Sequence, residues 1–353
     1  MGSIERVDRP KPWRARYRSP DGRNISKSFR RKAEAEKWLL LEEGDVLAGR
    51  WHDPQSGAEL FSVYCEKWLG ARSPAVAKKT SYNTEVMVRG RIIPAFGDRR
   101  LKEVTTASVR EWQNSLFSEG LSPATVKSYR QILGQVLNQA VADGLLLTNP
   151  VKGVKSPTAR PRRQMFLGAE ELEMLAEASG DDGPLIWFLG WSGLRFGEAA
   201  ALRVGNVDIS RRRVRVEESV TEVGGRLVFG PPKTYEARTV IVPRFVIDRI
   251  APLIAAKEPG DLVFTAQKGG TLRLNTFRRR VFAPAAAAIG KPDLVPHDLR
   301  DTAASLAISS GASIKAVQRM LGHASAAMTL DTYGSLFEED LETLANRLEE
   351  RFG

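Results

Sequence analysis

Apolar and polar positions alternate with period two in WRARYR: Trp13, Ala15 and Tyr17 fall on one side, and Arg14, Arg16 and Arg18 on the other. That is the pattern of a strand with one face on a core. Asp21-Gly22 predicts a hairpin turn, and NISKSFR reads as the returning strand. From about Lys32 to Ala48 the spacing becomes helical, offering Ala33, Trp38 and Leu41 to the sheet's apolar side. GRWHDPQSG, residues 49–57, breaks the pattern and reads as a linker. Helical spacing then holds from about residue 58 to 152, starting with Phe61, Tyr64 and Trp68. A second helix runs from about Lys79 to near Pro94, and a third crosses SVREWQNSLFSEG. The fourth has Ser122 as cap and Pro123 at its first position. It carries Val126, Tyr129, Leu133, Val136, Leu137, Ala140 and Val141 on one face, with Lys127 and Arg130 projecting from the other as candidate DNA contacts.

A basic, proline-containing stretch, VKGVKSPTARPRRQMF, reads as a second linker. Beyond it a helix starts around Gly168 to Glu171, and GPLIWFLGWSGLRFGEAAAL is a strongly apolar helix interrupted at Ser192-Gly193. RRRVRVEESV, a Gly224-Gly225 turn, RLVFGPPKT and EARTVIVP predict one three-stranded antiparallel sheet. PLIAAK, TFRRRVFAPAAAAIG and the stretch from His297 to Tyr333 return to helix. FEEDLETLANRLEERF is an amphipathic terminal helix with Leu341, Leu344 and Leu348 on one face. The expectation is a multidomain α+β chain: a small sheet-plus-helix domain at 1–54, a four-helix domain at 58–152, and a mostly helical domain with a three-stranded sheet at 164–353. A length of 353 residues, too great for one ordinary core, agrees with that division.

The net charge of +11 and a pI near 9.8 add a polyanionic partner. The arginine face of WRARYR suits phosphates or a major groove, although most charge runs are solvated faces. No apolar run approaches the ~20 residues needed to span a membrane, and the N-terminus lacks a signal-peptide core, so a soluble intracellular protein is expected. The single cysteine, Cys65, excludes an internal disulfide and a cysteine-based zinc site, and FSVYCEKWL reads as a setting for a buried thiol. His52 stands alone in the first linker and is read as incidental.

The other two histidines lie in the stretch from His297 to Tyr333, which opens on H-x-x-R (His297, Arg300), continues to a Gly322-His323 turn and ends at Tyr333. Attack on a phosphodiester needs a nucleophile, cations on the non-bridging oxygens, and an acid for the leaving alkoxide. Tyr333 can attack if a base or a positive field takes up its proton. Arg300 can bind oxygens through its planar fork. Upstream, Arg195 in SGLRFGEAAAL has glycines on both sides and Glu198 one turn on to orient it, and Lys233 in GPPKTYEARTV is a mobile ammonium suited to acid catalysis. Each has an ordinary structural reading too: a helix-capping arginine, a solvated loop lysine, core histidines, a packed tyrosine.

Taken in order, SGLRFGEAAAL, PPKTYEARTV, HDLRDTAAS, LGHASAAMT and DTYGS resemble the successive boxes of the tyrosine recombinase (phage integrase) family. The helical stretch ending NPVKGVK resembles that family's core-binding domain, and the basic N-terminal unit resembles the arm-binding domain of phage-type integrases. The resemblance implies that Tyr333 attacks the scissile phosphate to give a 3′-phosphotyrosyl link and a free 5′-hydroxyl. Arg195, Arg300 and His323 would hold the non-bridging oxygens, Lys233 would protonate the leaving oxygen, and His297 would assist proton transfer at the tyrosine. Glu198 falls at an acidic support position. Asp301 departs from the histidine that many members have after H-x-x-R, and reads as a helix cap and orienter.

The reaction so implied conserves bond energy, so it needs no cofactor and no metal. It would join strands at core-type and arm-type sites on double-stranded DNA, in a homotetramer, through a Holliday junction, for integration and excision of a mobile element. A host DNA-bending protein and a directionality factor are candidate accessory partners, no membrane is involved, and the expected place is a bacterial cytoplasm, at the nucleoid. Two other readings stay open at this point: a type IB topoisomerase with the same chemistry, and a non-catalytic DNA clamp. A metal-dependent nuclease is the weakest, for want of ligand spacing.

Overall fold

The computed structural model describes residues 2–49, 51, 53, 56–72, 76–158, 164–232, 237–336 and 340–353, without the side chains of residues 335, 340–344 and 347. The chain divides into two compact units, Met1–Arg160 and Pro161–Gly353.

The first unit contains two separate buried clusters. The smaller one underlies an antiparallel sheet of β1 (Ser3–Arg6), β2 (Trp13–Arg18) and β3 (Asn24–Phe29), with β2 in the centre. Ala15 and Tyr17 point from β2 into this cluster, where α1 (Lys32–Leu47) covers them with Ala35, Trp38 and Leu39. The Tyr17 hydroxyl donates to Glu42 Oε2 at 2.7 Å and accepts from Trp51 Nε1 at 2.7 Å. The bond to Glu42 fixes the rotation of α1, so Ala33 and Leu41, which the spacing offered to the sheet, are turned to solvent. Trp51 packs on the same cluster and Asp53 pairs with Arg23, so part of the expected linker is anchored. His52 lies outside the described residues.

The other face of the sheet carries Arg14, Arg16 and Arg18. Arg14 stands opposite Glu5 and Ser28, Arg16 opposite Ser3 and Ser26, and Arg18 opposite Asn24. These arginines make only loose cross-strand contacts, such as Arg16 Nε to Ser3 Oγ at 3.1 Å and Arg14 to Glu5 at 3.8 Å.

The second cluster is built from α2 (Phe61–Gly70), α3 (Lys78–Met87), α4 (Ile93–Phe96), α5 (Thr106–Ser118) and α6 (Pro123–Ala142), around Phe61, Phe96, Leu133 and Leu137. Cys65 is fully buried here, and burial pushes its thiol up to about 12. The helix expected to end near Pro94 continues: α3 passes through a π-helical segment, Val88–Ile92, into α4. Proline crowds the carbonyl four residues back and lacks an N–H, and the wider turn before it relieves both constraints. The same device recurs at Arg278–Phe282, ahead of Pro284. Lys127 is exposed on α6, as expected. Arg130 is not: its Nη2 donates to the carbonyls of Val151 (2.9 Å) and Val154 (2.7 Å), fastening the segment after α6 to the helical core. Arg130 is thus half-buried and held inward at one nitrogen, while Lys127 stands clear of the helical core.

The second unit begins with α7 (Ala169–Ala178), α8 (Gly183–Ser192) and α9 (Phe196–Ala199). Helix α8, apolar all round, is the central element, and its Leu185, Ile186, Phe188 and Leu189 are at most 2% exposed. Five strands follow: β4 (Val207–Asp208), β5 (Arg213–Val216), β6 (Ser219–Val223), β7 (Arg226–Gly230) and β8 (Arg238–Ile241). A three-stranded antiparallel sheet is present, but its order is β4-β5-β8, and β6-β7 form a separate pair. Gly224 (φ 55°) and Gly225 (φ 77°) make a two-residue turn that folds β7 back on β6, leaving β8 to pair with β5. The remaining helices are α10 (Arg244–Ile254), α11 (Leu274–Phe277), α12 (Ala283–Ala288), α13 (Asp298–Ser309), α14 (Ile314–Leu321), α15 (Ala326–Tyr333) and α16 (Asp340–Phe352). On α16, Leu348 is 50% exposed, while the side chains of Leu341 and Leu344 lie outside the described residues. None of the helices among the described residues is long and apolar enough to cross a membrane.

Replacing Arg130 with Met removes two hydrogen bonds from a cation and strands two carbonyls. The first unit is expected to lose about 1–3 kcal/mol in urea unfolding, whereas Lys127→Met should leave the midpoint unchanged.

Candidate active site

Helix α8 ends at Gly193 in the left-handed conformation (φ 67°), and the chain turns through Leu194 and Arg195 into α9. The glycines beside Arg195 serve packing: a Cβ at Gly197 would lie 2.5 Å from the Val220 carbonyl oxygen, and one at Gly193 2.8 Å from Leu321. Glu198, 1% exposed, accepts from the Arg195 backbone N at 3.0 Å and from Arg195 Nη1 at 2.9 Å. Its two oxygens also take both terminal nitrogens of Arg238, at 3.0 and 2.7 Å. Burial works to raise the Glu198 carboxyl, but Arg238 and Arg195 together outweigh it and hold the group below its ordinary range.

Arg238 was not among the residues that the motifs single out, although one signal pointed to it. In EARTVIVP it shares a strand face with Val240, which is buried, and an arginine on a core-facing position requires a buried anion. Its side chain runs past Gly322, the left-handed cap of α14 (φ 65°), where an added Cβ would sit 2.7 Å from Arg238 Cδ.

Arg300 is 3% exposed on α13. It donates from Nη1 to the Gly193 carbonyl at 2.6 Å and from Nη2 to the Leu321 carbonyl at 2.5 Å. Both acceptors stand at helix C-termini, where carbonyls lack partners and the dipole is negative. Burial and the neighbouring Arg195 and Arg238 push Arg300 down to about 10, with Glu198 pulling the other way, so it remains a cation at pH 7.

His323 follows Gly322, and Gln318 clamps the turn by donating from Nε2 to the His323 carbonyl at 3.1 Å. The ring Nδ1 lies 3.0 Å from the hydroxyl of Thr329, a fully buried residue that the motif reading also missed. Burial, then Arg300, Arg195 and Arg238, push His323 down to about 4, so it is neutral at pH 7. The Tyr333 ring lies parallel to it, with 2° between planes and 6.4 Å between centroids. Tyr333 is 2% exposed, and its hydroxyl donates to Asp301 Oδ1 at 2.5 Å. Burial and that carboxylate raise the phenol above its ordinary value, and burial raises Asp301 as well.

Asp301 is not the helix cap the sequence suggested. His297 occupies the cap position of α13, exposed, and Asp301 sits in the first turn facing Tyr333. Lys233 lies outside the described residues. The chain re-enters them at Ala237, which lines a groove of about 440 Å³ with Arg238, Gln318, Arg319, Gly322 and His323. Among the described residues there is no cluster of His, Cys, Asp or Glu that could hold a metal ion. Among the described residues, the guanidinium groups of Arg195, Arg238 and Arg300 gather around the single carboxylate of Glu198 and two helix C-termini, a setting that suits an anion such as a phosphodiester.

The profile of the phage integrase family matches residues 166–339, and that of the phage integrase N-terminal SAM-like domain matches residues 60–117. An integrase of Mycobacterium phage D29 is 31% identical over an alignment covering 100% of this chain and 97% of the relative. Among solved structures, the Tn1549 transposon integrase in complex with transposon right end DNA is similar with a TM-score of 0.68 and 20% identity, covering 81% of this chain and 100% of that one. A lambda integrase tetramer bound to a Holliday junction is similar with a TM-score of 0.60 and 19% identity, covering 90% and 91%. At these identities the likeness to the solved structures is one of fold.

Glu198→Ala leaves Arg238 and Arg195 without their buried counter-charge. A loss of about 3–5 kcal/mol in denaturant unfolding of the second unit is expected, with Glu198→Asp closer to wild type.

Proposed function

The chain belongs to the phage integrase family and is a site-specific tyrosine recombinase, and on that premise we propose that Tyr333 is its nucleophile and that Arg195, Arg300 and His323 hold the scissile phosphate. The observation that carries this reading is the convergence of Gly193–Glu198, Arg300, His323 and Tyr333 from four separate sequence segments on one guanidinium-lined pocket. Tyr333 Oη attacks phosphorus and the P–O5′ bond breaks, leaving a 3′-phosphotyrosyl link. Lys233 gives the departing oxygen its proton, and His297, at the mouth of α13, is a further proton-handling group. The 5′-hydroxyl of a partner strand reverses the step, so strands are exchanged through a Holliday junction without nucleotide hydrolysis. The guanidinium groups offset charge that grows on the non-bridging oxygens in the transition state.

The same reading makes residues 1–54 an arm-type DNA module, with Arg14, Arg16 and Arg18 facing phosphates, and residues 58–152 a core-type module with Lys127 and the half-buried Arg130 on its DNA side. Residues 164–353 are then the catalytic domain. The arginine face of β2, held only by loose contacts, supports the first assignment. A homotetramer on two duplexes is the assembly this chemistry needs, a DNA-bending protein and a directionality factor are its accessory partners, and the nucleoid is its place of action.

The test uses a duplex recovered from a randomised pool by its binding to the full chain, nicked so that the released fragment diffuses away. In EDTA, wild type is expected to form a covalent adduct on a 3′ end, and Tyr333→Phe none. No wild-type adduct, or an adduct with the phenylalanine variant, sinks the assignment; relaxation of any supercoiled plasmid without sequence preference favours a topoisomerase. Arg16→Ala should weaken arm-type binding and reduce the slope of log affinity against log salt by about 1.

A further inference from the structure

The geometry points to Asp301 as the group that takes the proton of Tyr333 as its hydroxyl attacks. This rests on Tyr333 being the nucleophile. The hydroxyl is buried and donates to Asp301 Oδ1 at 2.5 Å, so the proton already lies on the line between the two oxygens. Among the described residues, no other hydrogen bond engages this hydroxyl. His297, the residue that the family resemblance put at this task, is the exposed cap of α13. The Nδ1 of His323 is engaged by Thr329, and burial together with three guanidinium groups makes that imidazole a poor base. Burial beside a carboxylate also keeps the phenol from ionising in advance, so its proton has to leave during the attack. Asp301 is a stronger base than a solvated carboxylate because burial raises it, which brings it nearer the working pH. The charged and titratable groups around it are Tyr333 from α15, His297 and Asp298 at the start of its own helix, and Arg300 beside it, with Arg195, Glu198 and Arg238 beyond Arg300.

In the step, the Oη–phosphorus bond forms, the P–O5′ bond breaks with its electron pair staying on the leaving oxygen, and that oxygen takes a proton from the acid. The phenolic proton moves to Asp301, which becomes a neutral carboxyl. In strand joining Asp301 returns the proton to the phenolate as the phosphotyrosine breaks, so the carboxylate is restored in each cycle.

Asp301→Asn keeps an acceptor oxygen for the hydroxyl but cannot hold its proton, and Asp301→His restores a base of different pKa. Adduct formation by the full chain on the nicked duplex is measured between pH 5 and 9.5 under single-turnover conditions, with duplex binding as the check on folding. Wild type should show a rate that falls on the acid side and a plateau above it. Asp301→Asn should be slower by about 100-fold or more at neutral pH, with a rate that climbs with pH as the phenol ionises by itself. Asp301→His should recover much of the rate with its acid limb displaced. A near wild-type rate in Asp301→Asn, or a slow rate with the wild-type profile, overturns the inference and leaves Asp301 a structural partner. If Asp301→Asn does not bind the duplex, an acid limb in Asp301→His that coincides with wild type overturns it instead. Absence of an adduct from wild type would be the failure of the nucleophile assignment, a different result.

Discussion

Three guanidinium groups cannot share a dry pocket unless something offsets their repulsion, and the second unit is arranged around the two things that do. One is Glu198, a single buried carboxylate bonded to Arg195 on its own turn and to Arg238 from β8. The other is a pair of helix ends, the carbonyls of Gly193 and Leu321, which take Arg300 between them. Through these contacts the C-termini of α8 and α14, the start of α9, strand β8 and helix α13 are joined at one place. The left-handed glycines at 193 and 322 belong to the same constraint, because each ends a helix where its carbonyls are needed and leaves space for a neighbouring side chain.

This clustering also determines the character of the groups beside it. Burial first, and then the neighbouring guanidinium groups, lower both Arg300 and His323. Arg300 keeps its proton because its ordinary value is so high, and His323 gives its proton up. Under the proposed assignment, a phosphodiester entering the groove would meet a field built without it, the preorganisation on which electrostatic catalysis depends. Tyr333 sits at the edge of this field with its hydroxyl turned to a carboxylate, so the same burial that collects the cations also keeps the phenol protonated until it is needed.

Much of this was legible in the chain. The alternation in WRARYR marked β2 and both its faces, the αL positions were visible as glycines, and the boxes from Arg195 to Tyr333 named most of the pocket. What escaped depends on partners remote in sequence. Arg238 is defined by a carboxylate forty residues earlier, and local reading took EARTVIVP as only a strand. Arg130 had the spacing of an exposed residue, but the carbonyls of Val151 and Val154, beyond the end of α6, took it inward. The one-sheet reading failed because RRRVRVEESV, read as one strand, is two, β5 and β6, parted at Glu217-Glu218, so the Gly224-Gly225 turn pairs β7 with β6 while β5 pairs with β8. Pro94 was read as a stop because proline is one in a regular α-helix, and a π segment is not a regular one.

The neutrality of His323 bears on how the pocket can hold a phosphate. A fourth full cation would add repulsion to three already present, whereas a neutral imidazole adds a donor without adding charge. It can do so only in the tautomer that carries the proton on Nε2, and the Thr329 hydroxyl selects that tautomer when it donates to Nδ1. Thr329 is fully buried one helical turn before Tyr333, and the parallel rings of His323 and Tyr333 are held by the same short helix. The orientation of the donor and the position of the phenol are thus set by one element, α15. An anion in the groove offsets the cations that depress the imidazole, so occupancy itself raises the proton affinity of His323.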